Sequence, residues 1–296
     1  MGKLKEKLAE KKILVSDGAW GTELQKLGFT AGESPELWNL EKPELVENVA
    51  TGYVKAGADI IETNSFGGSS VKLAHYGLKE KTFEINKAAA EISRRAAGSE
   101  VLVMGSVGPT GKFIMMGDVT ADELYDGFLE QAQGLKAGGA DFIIIETFYD
   151  ITEAEIAIKA SKEAGFDDII CSFTYDKAGD IFNTMMGINP PEIASFVEST
   201  GGTVLGTNCG NGFADMKSIV EQYKANTNLP VLVQANAGIP LLQNDELVYP
   251  ETPEIVESLV PDLLSAGVSI IGGCCGTTPE HTKRIKGAVN KLRRFV

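Results

Sequence analysis

The sequence has few of the residues that usually bind metals or cross-link chains: its 296 residues include four cysteines and two histidines. No apolar stretch approaches the roughly 20 residues that a membrane-crossing helix needs. The start, MGKLKEKLAEKK, carries charges but no apolar core, which excludes a secretory signal. We therefore expect no membrane association and a cytoplasmic location, where clustered cysteines indicate a metal or catalysis before disulfides.

An excess of basic residues is also missing. The chain has 27 Lys and Arg against 41 Asp and Glu, a formal charge of −14, which argues against a nucleic-acid partner because phosphate contacts need clustered cations. The motifs HExxH and GxSxG are absent, and no lysine ends a predicted strand as a Schiff-base aldolase would need. The stretch SDGAWGTEL is a poor match to the dinucleotide motif GxGxxG, and GPTGK lacks the Walker spacing.

The repeated feature is a helix that ends in Ala-Gly and is followed closely by an isoleucine-rich run. It occurs in residues 55–64, 136–148, 163–173 and 265–275. Glycine ends a helix because it adopts the left-handed conformation without a Cβ clash. The β-branched run of four to eight residues that follows predicts a buried strand. Further strand candidates bring the number to eight: 13–17, 101–108, 203–209 and 230–237.

Helical patterns separate these strands, at about 43–56, 82–97, 120–137, 152–164, 190–200, 213–225, 252–266 and 278–292. Alternating strands and helices with apolar strands predict a parallel sheet covered by helices. The sequence therefore predicts a single (β/α)8 TIM barrel over residues 13–296, preceded by a charged N-terminal helix or extension, 1–12, that we expect to be solvated. A doubly wound open sheet is the alternative.

The active site of such a barrel lies at the carboxyl ends of the strands. Those ends hold Asp17, Glu62, Asn64, Glu146, Thr147, Asn208, Cys209, Asn236, Cys274 and Cys275. The sixth and eighth strands lie two apart around the barrel, so their thiols can meet at one point. Three thiolates with an open fourth position suit a catalytic Zn²⁺. Ordinary packing of buried cysteines is the alternative for this trio, and it is the interpretation we prefer for mid-strand Cys171. The carboxylates could instead cap helices or pair with lysines.

Several motifs in order along the chain resemble the homocysteine S-methyltransferase family. They are DGAWGTEL (17–24), ETNSF (62–66), GPTG (108–111), ETFYD (146–150), GTNC (206–209), ANAG (235–238) and GGCCGTTPEH (272–281). The resemblance runs from about residue 13 to the end, and it is greatest to the homocysteine-binding module of cobalamin-dependent methionine synthase. It implies methyl transfer to homocysteine, with one zinc held by Cys209, Cys274 and Cys275.

The resemblance also implies roles for the other strand-end residues. Glu146 would bind the substrate ammonium with support from Asp17, and Asn236 would fill the fourth zinc position when substrate is absent. The loops that contain Glu62, Asn64, Ser65 and Thr147 would hold the substrate. A free thiol is only about 3 % ionised at pH 7, so full ionisation contributes about 30-fold, or ~2 kcal/mol, to the rate. Orientation against the methyl donor must therefore supply much of the rest.

The methyl donor is the least determined part of this hypothesis. We expect a methyl-corrinoid supplied in trans by a carrier protein, whether the chain is free-standing or a module cut from a longer protein. Betaine would need an aromatic cage, and Thr147 follows Glu146 where an aromatic residue would be wanted. Trp38 keeps S-methylmethionine open as a donor, and the apolar run at 184–192 leaves another small thiol open as acceptor. A non-catalytic zinc-binding or corrinoid-partner-binding module and a zinc-free barrel lyase are the remaining alternatives.

Overall fold

The structure is a computed structural model. It describes residues 2–30, 32–243 and 246–293. Residues 1, 31, 244 and 245 lie outside the described residues, and so do 294–296, the last three of the predicted barrel domain. Among the residues described, no helix combines the length and apolar character that crossing a bilayer requires.

The strands, numbered along the chain, are β1 (Leu14–Val15), β2 (Ile60–Glu62), β3 (Leu102–Val107), β4 (Phe142–Phe148), β5 (Ile169–Phe173), β6 (Asp176–Ala178), β7 (Ile181–Asn183), β8 (Val204–Gly212), β9 (Val231–Asn236), β10 (Leu241–Gln243), β11 (Glu246–Val248) and β12 (Val268–Gly273). Eight of them form one sheet in the order β1-β12-β9-β8-β5-β4-β3-β2, and every pairing is parallel. A parallel bridge between Ser16 and Ile60 joins the two ends of this order. The predicted barrel is therefore confirmed.

The helices are α1 (Lys3–Lys11), α2 (Gly21–Lys26), α3 (Trp38–Glu41), α4 (Pro43–Ala56), α5 (Ser70–Leu73), α6 (Thr82–Ala97), α7 (Ala121–Ala137), α8 (Ile151–Glu163), α9 (Pro190–Thr200), α10 (Phe213–Asn226), α11 (Pro253–Ala266) and α12 (Pro279–Arg293). The eight predicted helices correspond to α4 and α6–α12, and their observed ends lie within one residue of the predicted ones. The Ala-Gly stops act as expected: Gly57 and Gly267, which follow α4 and α11, have φ values of 96° and 107°.

Aspartates tie the amino ends of neighbouring strands together. Asp59, which precedes β2, accepts the N–H of Val15 at 3.0 Å, and its carboxylate pairs with Lys11 and Lys286. Asp141, which precedes β4, accepts the N–H of Val103 at 2.8 Å. These carboxylates recur because each follows the repeated helix stop, so one local pattern in the sequence also holds the amino-terminal edge of the barrel together.

The N-terminal helix α1 packs against the barrel. Leu4 is fully buried, in the same cluster as the inward-facing residues of the lower barrel such as Leu14 and Ile170. The backbone N–H of Leu4 donates to Asp168 at 3.1 Å. This differs from the solvated helix that the sequence predicts. The helix instead has one buried anchor, because Leu4 covers apolar side chains that would otherwise face water at the amino-terminal mouth.

The barrel interior divides into an apolar lower part and a polar upper part. Residues two apart on a strand face the same side. On β4, the inward series runs from Phe142 and Ile144 to Glu146, and on β9 it runs from Leu232 to Gln234. Across the barrel, the upper interior is formed by buried polar side chains from seven strands or their ends: Ser16, Glu62, Ser106, Glu146, Ser172, Asn208 and Gln234. A TIM barrel with this division can hold a polar ligand at its carboxyl end.

Two β-hairpins at the carboxyl end were not predicted. One pairs β6 with β7 after the fifth barrel strand, and the other pairs β10 with β11 after the seventh. Their strands are only three residues long and largely exposed, so they lack the apolar run by which buried strands are recognised.

We expect Leu4→Ala to lower the free energy of unfolding by about 2–5 kcal/mol, because it leaves a cavity under the barrel. Leu27→Ala, at a residue that is 40 % exposed, is the matched control and should cost much less. Urea denaturation of both variants measures the difference. Similar losses in the two variants would show that α1 does not contribute to the core.

Candidate active site

The sulfurs of Cys209, Cys274 and Cys275 meet at the carboxyl end of the barrel. All three Sγ atoms lie within 4.8 Å of one another, and those of Cys274 and Cys275 are 4.0 Å apart. Cys209 has a φ of 57°, in the left-handed region that a cysteine adopts only at a cost. The strained conformation coincides with an irregularity in β8 between Asn208 and Gly212, where the strand leaves its regular register.

The barrel topology brings the two halves of this cluster together. Cys209 lies on β8, and the other two cysteines follow β12. Between them lies β9, whose carboxyl end holds the Cys274–Cys275 pair by two backbone hydrogen bonds. Cys274 N–H donates to Ala235 O at 2.6 Å, and Ala237 N–H donates to Cys275 O at 2.9 Å. On the other side, the hydroxyl of Thr277 donates to Cys274 O and accepts the N–H of Ala19. Both neighbouring strand ends therefore position the Cys-Cys pair.

The three thiols share their protons unequally. Hydrogen bonds from Cys274 and Cys275 lower the pKa of Cys209 to about 3, with a smaller contribution from Asn236. The same bonds raise the pKa of Cys274 well above its usual range, and the bond with Cys209 raises the pKa of Cys275 to about 11. At neutral pH the cluster therefore holds one thiolate stabilised by its neighbours.

The donor set fits a soft, tetrahedral metal ion. Zinc with sulfur ligands at about 2.3 Å needs sulfurs about 3.8 Å apart, close to the separation of Cys274 and Cys275. Asn236 lies beside Cys209, and its Oδ1 is buried without a hydrogen-bond partner among the described residues. Cys171 is a buried free thiol outside this cluster, as expected for a core residue. His281 does not belong to the cluster, and its ring hydrogen-bonds to Thr278 and to the carbonyl of Glu251.

Three buried carboxyl groups lie close to the thiol cluster. Asp17 accepts the N–H of Glu62 at 2.7 Å and the indole N–H of Trp20 at 2.9 Å. Glu62 accepts from Gln234 at 2.7 Å, and Glu146 accepts from the Ser106 hydroxyl. Burial raises the pKa of Asp17 and of Glu146 to about 7. Burial also raises the pKa of Glu62 well above its usual value, and the charges of Glu146 and Asp17 add to that effect.

The predicted substrate loops are held by their own side chains. Asn64 donates to the carbonyl of Pro35 and to Asn39, and the hydroxyl of Ser65 donates to the carbonyl of Ser106. These side chains therefore support the loop after β2 from within.

Thr147 is held in a similar way at the end of β4. Its φ is 61°. Its N–H donates to Asn208 Oδ1 at 2.9 Å, and its hydroxyl oxygen accepts from Asn208 Nδ2 at 2.7 Å. Asn208 is the neighbour of Cys209, so one side chain connects the end of β4 to the strand that contributes the first thiol.

A cavity of about 1020 Å³ opens over these groups. It is lined by eight of the ten residues predicted for the site, namely Glu62, Asn64, Ser65, Glu146, Thr147, Cys209, Cys274 and Cys275, while Asp17 and Asn236 are buried beside it. The lining residues that sequence reasoning missed include Trp20, Ser106, Gln234 and Tyr249. Two of these, Ser106 and Gln234, continue the alternation of inward-facing residues along β3 and β9. That alternation could have identified them from the sequence. Trp38 is buried against Phe29 and does not line the cavity.

The arrangement combines a soft-metal site with a carboxyl-rich cavity floor. Among the lining residues that the structure describes, Lys26 is the one basic residue, and it pairs with Glu23. A small ligand that carries both a thiol and an ammonium group matches these two features.

Comparison with known proteins identifies relatives over almost the whole chain. A family model described as homocysteine S-methyltransferase matches residues 14–289. The methionine synthase of Mycobacterium tuberculosis is 31 % identical over 301 aligned positions, which cover 96 % of this chain and 25 % of that protein. The methionine synthase of Mycobacterium leprae is also 31 % identical, over 97 % of this chain and 25 % of that protein. The chain thus spans about a quarter of the length of these relatives.

Solved structures share the fold. The homocysteine methyltransferase MmuM from Escherichia coli, in its metallated form, superposes with a TM-score of 0.79 at 23 % identity, and the match covers 96 % of this chain and 99 % of that chain. The carboxyl transferase domain of Rhizobium etli pyruvate carboxylase gives a TM-score of 0.54 at 14 % identity. At these identities the likeness concerns the barrel architecture alone.

The raised pKa of Glu146 predicts a pH-dependent stability. Its folded-state pKa of about 7 exceeds its ordinary 4.5, so the folded protein binds this proton more tightly than the unfolded chain does. The resulting stabilisation is present at low pH and is lost as the pH rises from about 4.5 to about 7. Glu146→Gln removes this dependence. Its free energy of unfolding should therefore rise by roughly 3 kcal/mol relative to that of the parent protein as the pH rises from about 4.5 to about 7. Urea denaturation at pH 4.5 and pH 8, with chelator and reductant, tests this. A constant difference between the two proteins would contradict it.

Proposed function

Because this chain belongs to the homocysteine S-methyltransferase family, we propose that it methylates the sulfur of homocysteine at a zinc site formed by Cys209, Cys274 and Cys275. The observation that carries the proposal is the position of the thiol cluster and the buried carboxyl groups in one cavity. The cluster matches the acceptor's sulfur, and the carboxyl groups match its ammonium. Homocysteine carries its sulfur and its ammonium at different ends of one small molecule, so it can reach both features at once.

Zinc is the metal that best fits the cluster. Three cysteine sulfurs with an adjacent open position are typical of catalytic zinc, and soft thiolate ligands disfavour magnesium and calcium. When bound, zinc would keep the acceptor thiol ionised at neutral pH, where a free thiol is mostly protonated. Asn236 would occupy the fourth position before the acceptor arrives, and its buried Oδ1, which has no partner among the described residues, supports this role.

Glu146 and Asp17 would orient the acceptor. Both carboxyl groups are buried, and burial disfavours their charge until a cation arrives. An ammonium group next to Glu146 favours the carboxylate form and so contributes to binding. Ser106 and Trp20 hold the two carboxyl groups in place by hydrogen bonds, which fixes the direction in which the acceptor's carbon chain leaves them. The acceptor is thereby held at one end while its sulfur reaches the thiol cluster.

A methyl-corrinoid held by a carrier protein is the donor that we propose. The cavity, at about 1020 Å³, is far larger than an amino acid needs, which leaves room for a second reactant. The hairpin of β10 and β11 lies at the cavity rim with exposed apolar side chains, including Leu242 at 70 % and Leu247 at 64 % exposure. Exposed apolar side chains around the cavity opening fit a contact with a carrier protein that brings its methyl group to the cavity. S-Methylmethionine and betaine are the competing donors, and a zinc-binding module without catalysis is the competing function.

We expect one zinc per chain, lost in Cys275→Ala and retained in Cys171→Ala. Removal of one of three sulfur ligands weakens the site strongly, whereas Cys171 lies in the core away from the cluster. Metal analysis after dialysis measures the stoichiometry, and methyl transfer to homocysteine should vanish with the metal. Thiol ligands must lose protons to bind, so zinc affinity should fall as the pH is lowered. Stoichiometric zinc in dialysed Cys275→Ala would exclude the three-thiolate site.

We expect homocysteine methylation to be fast with methylcobalamin on a corrinoid-binding protein and slow with free methylcobalamin, because docking contributes to transition-state binding. Leu242→Lys should lower the carrier-dependent rate at least about tenfold without changing the rate with free methylcobalamin. Ile255→Lys, at an exposed residue of α11, is the control and should leave both rates unchanged. Rapid turnover of S-methylmethionine or betaine without a corrinoid would show that the donor is a small molecule. Zinc binding without transfer from any donor would favour the non-catalytic module.

A further inference from the structure

Tyr249 lies at the base of the β10–β11 hairpin, beside the thiol cluster. It follows β11 directly and lines the same cavity as Cys275 and Gly276. Its aromatic ring packs against the backbone of Gly276, since a Cβ added at that glycine would lie only 2.1 Å from the ring carbon Cγ. The glycine that follows the Cys274–Cys275 pair therefore leaves space for an aromatic ring next to the cluster.

Backbone hydrogen bonds hold Tyr249 in this place. Ala237 donates its N–H to the carbonyl of Cys275, and its own carbonyl accepts the N–H of Glu251, both at 2.9 Å. Glu251 is fixed further because its carboxylate accepts the N–H of Phe213 at 3.0 Å. The chain segment that ends the hairpin and the segment that carries the second and third thiols are thus aligned by one residue of the barrel.

The hydroxyl of Tyr249 hydrogen-bonds to the thiol of Cys275, and the charges of all three cysteines act on it. A phenol keeps its proton at neutral pH and can donate it to a hydrogen bond, whereas an ionised sulfur can only accept. When the cluster is ionised, Tyr249 is therefore the donor of this bond. Hydrogen bonds to an ionised group are about twice as strong as those between neutral groups.

The site benefits from such a donor because its groups are mostly acidic. Three ionised cysteines outweigh the two positive charges of a zinc ion, and buried carboxyl groups lie nearby. Among the lining residues that the structure describes, the one basic side chain, Lys26, pairs with Glu23. A hydroxyl stabilises a thiolate without a cation, and hydrogen bonds of this kind orient the groups that bind a metal and adjust its affinity.

We propose that Tyr249 is a positioning residue of the metal site, whose hydroxyl donates to the Cys275 sulfur and whose ring covers that side of the cluster. This inference rests on the proposed function, since it concerns the same zinc site. It gives the hairpin a role beyond contact with a carrier protein, because the residue at its base supports the cluster. Tyr249 needs no contact with the acceptor for this role.

The test combines zinc affinity with the absorption spectrum of the cobalt-substituted protein. Tyr249→Phe keeps the ring and removes the hydroxyl. Its zinc affinity, measured by competition with a chelating dye, should fall about tenfold or more, because supporting hydrogen bonds contribute about 10- to 100-fold. Its sulfur-to-cobalt charge-transfer band should move to longer wavelength, because a thiolate without a hydrogen-bond donor gives up electron density more readily. Tyr76→Phe, at a residue that is 41 % exposed, is the matched control and should change neither quantity.

Tyr249→Leu separates the role of the ring from that of the hydroxyl. It should show the same band shift as Tyr249→Phe and a larger loss of zinc affinity, because it also opens the cluster to water. Parent-like affinity and an unshifted band in Tyr249→Phe, or effects in Tyr249→Leu alone, would overturn the inference and leave the proposed function intact. Failure of the parent protein to bind zinc would instead overturn the proposed function, and this inference with it.

Discussion

Closure of the sheet between β1 and its two neighbours is the constraint on which the site depends. The pairing of β1 with β12 and the bridge from Ser16 to Ile60 place the first loop of the chain between the second strand and the last. Asp17 can then accept the N–H of Glu62, while Ala19 reaches Thr277. The thiol cluster itself needs only the adjacent pairings of β8, β9 and β12. An open sheet would instead separate Asp17 from Glu62 by its full width.

The polar upper interior of the barrel is costly without a ligand. Buried carboxyl groups lose hydration, and this loss raises their pKa values more than the hydrogen bonds from the protein lower them. The apolar lower interior, covered by Leu4, offsets this cost by burying a continuous core. Stability is thus concentrated at the amino-terminal end and unsatisfied polarity at the carboxyl-terminal end. This division leaves a rigid floor under groups that remain free to bind.

The architecture and the thiol cluster were predictable from the sequence for physical reasons. The four helix stops with isoleucine-rich runs are local patterns whose meaning does not depend on the rest of the fold. Together with four further apolar runs, in alternation with helices, they leave few topologies. The carboxyl ends of parallel strands lie at the same end of the barrel, so the polar residues that follow the strands had to lie there together. The meeting of Cys209 with Cys274 and Cys275 follows from that rule together with the strand count.

The direction of individual side chains and the irregular segments depended on long-range packing. Nothing local shows that Asn64 turns towards Pro35 or that Gln234 leaves its oxygen unpaired, because each outcome is set by a partner distant in the chain. The hairpins of β6–β7 and β10–β11 are short and exposed, so their sequences lack an apolar period. The burial of Leu4 needed the open amino-terminal mouth of a closed barrel, a surface that exists only after all eight strands have come together.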